Sequence, residues 1–179
     1  MQSVALEERL GALMARFQAG DEAAFNELYM LSLPSVTGFL GRLATREVAD
    51  DLAQETFLRV IEARRTFRPG APFRPWLFAI ARHVAQDSRR RWSRRNAKEV
   101  AVPELPEQLV APLAEDHLDQ AKLAALVLQL PENQREAVWL AKVEGMTSVE
   151  IGRIVGASPG AVKVRLHRAT AKLREWIGA

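Results

Sequence analysis

Apolar positions recur along most of the chain at helical rather than alternating spacing, and the pattern predicts an all-α protein. The periodicity places helices near 5–18, 21–32, 35–43, 46–64, 75–92, 117–130, 132–143, 148–155 and 159–177. No Asn-Gly or Asp-Gly hairpin signal lies between them. Pro34 is expected to separate the second helix from the third, because proline inside a helix removes a backbone bond and crowds the preceding turn. Residues 66–75 (TFRPGAPFRP) hold three prolines and a glycine and read as a loop. Residues 96–112 hold three more prolines, are acidic and show little periodicity. They predict two small helical domains, 1–95 and 117–179, joined by a flexible linker over 96–116.

Within the helices the faces divide clearly. On 46–64, Ala49, Leu52, Ala53, Thr56, Phe57 and Val60 share one side and form a candidate core stripe, while Asp51, Gln54, Glu55, Leu58 and Arg59 face outward. A leucine among acids and amides on an outward face suits a protein contact with a polar rim. A single exposed leucine is also ordinary. On 75–92, Leu77, Ile80, Ala81, Val84 and Ser88 face inward, and Arg82, His83, Gln86, Arg89 and Arg90 face out. Arg68, Phe73, Arg74 and Trp76 lie in or beside the loop before it. Aromatics next to a basic helix can hold unstacked bases, since stacking contributes roughly 1–3 kcal/mol per base while the charges follow the backbone. Core packing is the competing role for Trp76 and Phe73. Asp87 is expected to pair within its helix, with Arg91 at i+4.

The strongest local signal is at 146–174. Thr147 and Glu150 have the spacing of a capping box, Gly156 suits a helix end, and Ser158 followed by Pro159 suits the next helix start. Two helices joined by a three-residue turn make a helix-turn-helix. On the second of them Val162, Leu166, Ala169, Leu173 and Ile177 fall in one narrow arc. Lys163, Val164, His167, Arg168, Ala171 and Lys172 lie opposite, where a major groove would be read; Arg165 and Arg174 sit at the edges and suit phosphates. The free N–H groups near Ser158 and Gly160 add a phosphate site.

Composition sharpens this picture. The chain has 179 residues and a net charge of only +3, but the charge is unevenly placed. Residues 1–60 carry nine acids against five bases, 82–98 seven bases against one acid, 99–121 six acids and no Lys or Arg, and 162–174 five bases and no acid. Two basic blocks flanking an acidic stretch predict two patches for a polyanion. Cysteine is absent, which excludes disulfides and thiolate metal sites and fits a reducing, cytoplasmic setting. No apolar run approaches the ~18 residues of a membrane span, and the N-terminus lacks a signal-peptide pattern. The three histidines are scattered and no phosphate-binding glycine loop is present, so neither an enzyme nor a resident cofactor or metal is expected.

Three segments then resemble one family in its order and spacing. DDLAQETFLRV at 50–60 resembles the polymerase-binding signature of bacterial sigma factors; WLFAIARH at 76–83, with Asp87 and the arginine run, resembles their promoter-melting and minus-10 segment. LPENQREAV at 130–138, EGMTSVEIG at 144–152 and SPGAVKVRLHRA at 158–169 are similar to their minus-35 helix-turn-helix. The short linker points to the extracytoplasmic-function (ECF) group. The resemblance implies that Asp51, Gln54, Glu55 and Leu58 bind the clamp helices of core RNA polymerase. It implies that Arg68, Phe73, Arg74, Trp76, Arg82, His83, Gln86, Arg89 and Arg90 meet the minus-10 element of promoter DNA. Ser158, Gly160, Lys163, Val164, Arg165, His167, Arg168 and Lys172 would meet the minus-35 element. It also implies control by an anti-sigma factor, membrane-associated or soluble, with no small-molecule substrate. The chain departs from the family's pattern at His83, where an amide is frequent, at Gly152, where alanine is usual, at Val149 and Ala161, where more polar residues stand, and in the proline-rich loop. A stand-alone helix-turn-helix regulator needs neither the Asp51–Leu58 face nor the aromatics, and a sigma-like decoy would have lost its basic faces.

Overall fold

The computed structural model describes residues 2–44, 46–95 and 125–178. The expected linker over 96–116 and most of the helix expected at 117–130 lie outside the described residues; 125–129 are helical. Among the described residues there is no strand. Among the described residues seven further helices carry the fold: α1 (Gln2–Gln18), α2 (Glu22–Leu40), α3 (Arg46–Ala63), α4 (Phe73–Arg95), α5 (Glu132–Lys142), α6 (Ser148–Val155) and α7 (Pro159–Gly178). A short 3-10 turn, Arg64–Thr66, follows α3.

The separate helices expected before and after Pro34 form one, α2. Pro34 lies on the exposed side, as does Met30, whose carbonyl loses its helical partner there. On that side the freed carbonyl is open to hydration, so the proline is tolerated where the same residue on the buried side would break the helix. Asp21 starts α2 by accepting the Ala24 N–H at 3.2 Å.

Helices α1 to α4 enclose one core. Leu10, Met14, Leu28, Val36, Phe39, Leu77 and Phe78 are all essentially inaccessible, and the whole expected stripe of α3, Ala49 to Val60, is buried. Thr56 sits in that stripe because its hydroxyl donates to the Leu52 carbonyl at 2.7 Å, which removes the cost of burying it. Phe39 and Phe78 meet edge to face at 5.1 Å. The inward stripe of α4 is wider than periodicity indicates: Phe78 and Ala85 are buried as well, while Ile80 and Ser88 are only half-buried. The reason is that α4 is covered from two directions. Helices α2 and α3 pack on one side, and α6 from the C-terminal half packs on another. Leu140, Met146, Ile151, Ile154, Val155 and Val162 join the same hydrophobic cluster as α1–α4. In α7 Val162 and Ala169 are buried and Leu166 and Leu173 half-buried, as their arc requires. Ile177 departs from that expectation and is 64% exposed, in the last turn of the helix.

Candidate nucleic-acid and polymerase interfaces

The helix-turn-helix forms as its residues dictate. Thr147 accepts the Glu150 N–H at 3.3 Å and the Glu150 carboxylate returns to the Thr147 N–H at 2.8 Å, closing the capping box of α6. Gly156 ends α6 in the left-handed region (φ 66°). The Ser158 hydroxyl accepts the Ala161 N–H at 3.2 Å and starts α7. The turn lies close against α6: a Cβ at Gly152 would stand 2.5 Å from the Ala157 carbonyl oxygen. The approach leaves no room for a side chain at 152. Gly152→Ala must therefore push the turn outward. A loss of about 1–3 kcal/mol is expected, partly offset by the ~1 kcal/mol that alanine gains over glycine in a helix. Urea denaturation measures it, and unchanged or raised stability would show that the turn is not held by this contact.

On α7, Lys163, Val164, His167 and Arg168 are exposed together, with Arg165 and Lys172 half-buried beside them. Ser158 and Gly160 are exposed at the helix start. The structure therefore gathers the eight residues expected to meet one stretch of duplex on or next to one helix face.

On α3, Asp51, Gln54 and Leu58 are exposed, Leu58 to 60%. Glu55 departs from the free outward position expected of it. It is half-buried and bonded to Arg59 at 2.9 Å and to Arg91 of α4 at 3.0 Å. Asp87 pairs within its own helix as expected, though with Arg90 at 3.9 Å rather than with Arg91, and it also pairs across helices with Arg59 at 3.3 Å. These bonds tie α3 to α4, and the guanidinium of Arg59 is held above its ordinary pKa chiefly by the Glu55 carboxylate.

The loop and α4 hold the larger corrections. Helix α4 begins at Phe73, before Trp76. Its first turn is capped from a distance: the Glu7 carboxylate accepts the backbone N–H groups of Phe73 and Arg74, the latter at 3.2 Å. Burial raises the Glu7 pKa although those two N–H groups favour its charged form. Pro75 falls within this first turn, where its missing N–H costs nothing. Phe73 is fully buried and so offers no face to a base. Its ring packs with Phe67 at 5.9 Å and with Trp76 at 5.9 Å. Trp76 is half-buried and stands edge-on to Phe67 at 5.2 Å. Proline spacing alone places Phe73 in a loop, and the covering aromatics come from either side of it.

Arg68, His83 and Arg90 are exposed, but three of the arginines assigned to the same face are engaged by acids of the C-terminal half. Arg74 pairs with Glu144 and also donates to its carbonyl at 3.0 Å. Arg82 pairs with Glu136 at 2.7 Å. Arg89 pairs with Glu132. With its amide turned to satisfy both groups, Gln86 accepts from Arg82 at 3.0 Å. Burial raises the pKa of Glu136, with Arg82 opposing. Farther along α4, Gln86, Arg89, Arg90, Ser93 and Arg94 line a shallow basic groove. Sequence reading missed Glu7, Glu132, Glu136, Glu144 and the stacking of the Arg42 guanidinium on Trp139, 3.7 Å from its ring centre. The one available signal was the i, i+4 placement of Glu132 and Glu136, which puts two carboxylates on one face. Among the described residues no group of three or more His, Asp or Glu is placed to hold a metal, and no helix is long and apolar enough to cross a membrane.

An all-helical chain with a basic reading helix, a basic and partly masked α4, and an apolar-acidic face on α3 is the layout of a promoter-recognition subunit. The comparisons agree. Residues 28–95 match sigma-70 region 2 and residues 120–173 match sigma-70 region 4. The RNA polymerase sigma factor CarQ of Myxococcus xanthus is 40% identical over 166 residues, covering 92% of this chain and 95% of that one. The ECF RNA polymerase sigma factor ShbA of Streptomyces griseus is 36% identical, covering 92% and 93%. Among solved structures, the sigma factor RpoE from Bartonella quintana, in complex with the anti-sigma factor NepR, superposes with a TM-score of 0.77 at 26% identity over 87% of this chain and 97% of that one. CnrH in complex with the cytosolic domain of CnrY gives 0.71 at 26% identity, covering 95% of this chain and 97% of that one. The chain belongs to the ECF group of RNA polymerase sigma factors, which direct the polymerase to particular promoters.

Proposed function

We propose that this sigma factor docks on the clamp helices of core polymerase through Asp51, Gln54 and Leu58. Residues 1–95 then take the minus-10 element along α4, and residues 117–179 read the minus-35 element with α7. Leu58 supplies the apolar centre of the docking face, and Asp51 and Gln54 its polar rim. Glu55 acts there indirectly, by fixing Arg59 and Arg91. On α4, Arg68, Arg82, His83, Gln86, Arg89 and Arg90 supply charge and hydrogen bonds to the strand, with the exposed part of Trp76 beside them. Phe73 supports that ring from below. The chain performs no chemistry of its own and works in the cytoplasm. An anti-sigma factor holds it in reserve, a reading supported by the likeness to RpoE, solved in complex with the anti-sigma factor NepR.

The observation that carries the reading is the joint exposure of Lys163, Val164, His167 and Arg168 in a chain that also exposes Leu58. In vitro transcription with core polymerase and a randomised promoter library tests it. Transcripts starting from a defined pair of elements are expected, and no initiation on any template would overturn the proposal. Within that assay Arg168→Ala is expected to cost about 1–3 kcal/mol at one or two minus-35 positions, the value of one side chain bonding a base edge. A uniform loss at all sequences would reassign Arg168 to a phosphate.

A further inference from the structure

The far end of α4 runs clear of the core. Val84 and Ala85 are the last buried residues described on it, and residues 89–94 are all exposed. Ser93 lies in this stretch, lining the shallow groove with Gln86, Arg89, Arg90 and Arg94. Among the described residues nothing is hydrogen-bonded to its hydroxyl. Several other hydroxyls are occupied: Thr66 donates to the Ala63 carbonyl at 2.7 Å, Thr170 to the Leu166 carbonyl at 2.9 Å, and Thr147 and Ser158 cap helices. The sequence around Ser93, RRWSRR, puts Arg90 and Arg91 three and two residues before it. No other serine or threonine of the chain has arginine at both places. Two guanidiniums just ahead of a serine are what the acidic substrate cleft of a basophilic protein kinase selects, by charge and by bidentate bonds. The pairs that Arg89 and Arg91 make with Glu132 and Glu55 lie at the surface, so giving them up costs little.

We propose that Ser93 is a phosphorylation site for a serine/threonine kinase that selects arginine on the N-terminal side, and that the phosphate weakens the hold of α4 on promoter DNA. In the transfer the Ser93 Oγ forms a bond to the γ-phosphorus of ATP as the bond from that phosphorus to the bridging oxygen breaks. ADP leaves, and the hydroxyl proton passes to the kinase's base. A kinase cleft takes its substrate extended, so the last turn of α4 must unwind. No buried residue holds the stretch 89–94, and helix ends open at little cost. Once the helix re-forms, the phosphate brings about −1.5 to −2 charges into the groove. Arg89 and Arg90 lie four and three residues before it, on the same helix face, and Arg94 lines the same groove. Guanidiniums paired with the phosphoserine no longer displace counterions from DNA. The consequence for DNA rests on the assignment of α4 to the minus-10 strand; the modification itself does not.

In the test, the full chain is treated with ATP and the catalytic subunit of cyclic-AMP-dependent protein kinase, which requires arginine at these two positions. Cleavage before aspartate releases residues 87–115, whose only hydroxyl side chains are Ser88 and Ser93, and fragmentation in the mass spectrometer tells the two apart. Phosphate is expected on Ser93 and not on Ser88, which is half-buried and has no arginine at those places. Promoter affinity is then measured for treated and untreated chain bound to core polymerase, on a promoter taken from the randomised library. Treatment is expected to weaken binding by roughly tenfold. The slope of log K against log salt should become shallower by about 1.4–1.8, for two lost phosphate contacts at about 0.7 each on single strands or 0.9 on duplex. Ser93→Ala should take up no phosphate on this peptide, and its affinity should not respond to treatment. Arg90→Glu, untreated, tests the same face independently and should weaken binding by a similar factor. No phosphate on Ser93 of the folded chain overturns the site, whatever α4 binds. Phosphate on Ser93 with unchanged affinity, where Arg90→Glu does weaken binding, overturns the switch and leaves α4 on DNA. If neither changes the affinity, the assignment of α4 to DNA fails and the switch with it.

Discussion

Leu58→Asp is expected to abolish assembly with core polymerase while leaving the fold intact. Leu58 is 60% exposed, so the substitution opens no cavity and removes no core contact. Its cost to the helix is the difference in propensity, a few tenths of a kcal/mol. At the docked face the effect is of another size. An apolar anchor at the centre of an interface contributes upwards of about 2 kcal/mol, and a carboxylate in its place must also be stripped of water against an apolar surface. A combined loss of about 4 kcal/mol is close to a thousandfold in affinity. Titration of labelled chain with core enzyme measures this, and binding of the same variant to minus-35 duplex serves as the control for folding. Normal assembly would remove α3 from the polymerase contact.

The largest expected loss of stability is at Phe78. Its ring is essentially inaccessible, meets Phe39 edge to face at 5.1 Å, and lies on the helix packed on both sides. Phe78→Ala removes the contacts of one ring and leaves a void that rigid neighbours cannot fill. The expected cost is about 3–5 kcal/mol, a large share of the 5–15 kcal/mol that holds a domain together. Equilibrium denaturation in urea reads it as a lowered midpoint. A loss under about 1 kcal/mol would mean that α4 is not seated on α2 as described.

What could be read in advance and what could not follow from the range of the forces involved. The α3 stripe was legible because burial against one neighbour leaves a periodic trace, and Ala49 to Val60 are buried as that trace requires. The helix-turn-helix was legible because Thr147, Glu150, Gly156 and Ser158 act on backbone groups only a few residues away. Phe73 was misplaced because nothing local distinguishes an aromatic that stacks on bases from one covered by Phe67 and Trp76. Pro34 was misjudged because its cost depends on whether the orphaned carbonyl can be hydrated, a tertiary property. The arginines of α4 were seen as a basic face, but their partners lie 43 to 70 residues away. A carboxylate that neutralises a distant guanidinium leaves no mark on its own neighbourhood in sequence.

The bond from Glu7 to the start of α4 reaches across 66 residues. It joins a helix that precedes the stretch matching sigma-70 region 2 to the helix that carries the arginines. The region 2 match therefore begins at residue 28, whereas the helices packed around α4 begin with α1. Anyone cutting this protein down to its recognisable module would discard the acceptor that orders the first turn of α4, and with it one side of the floor on which that helix rests.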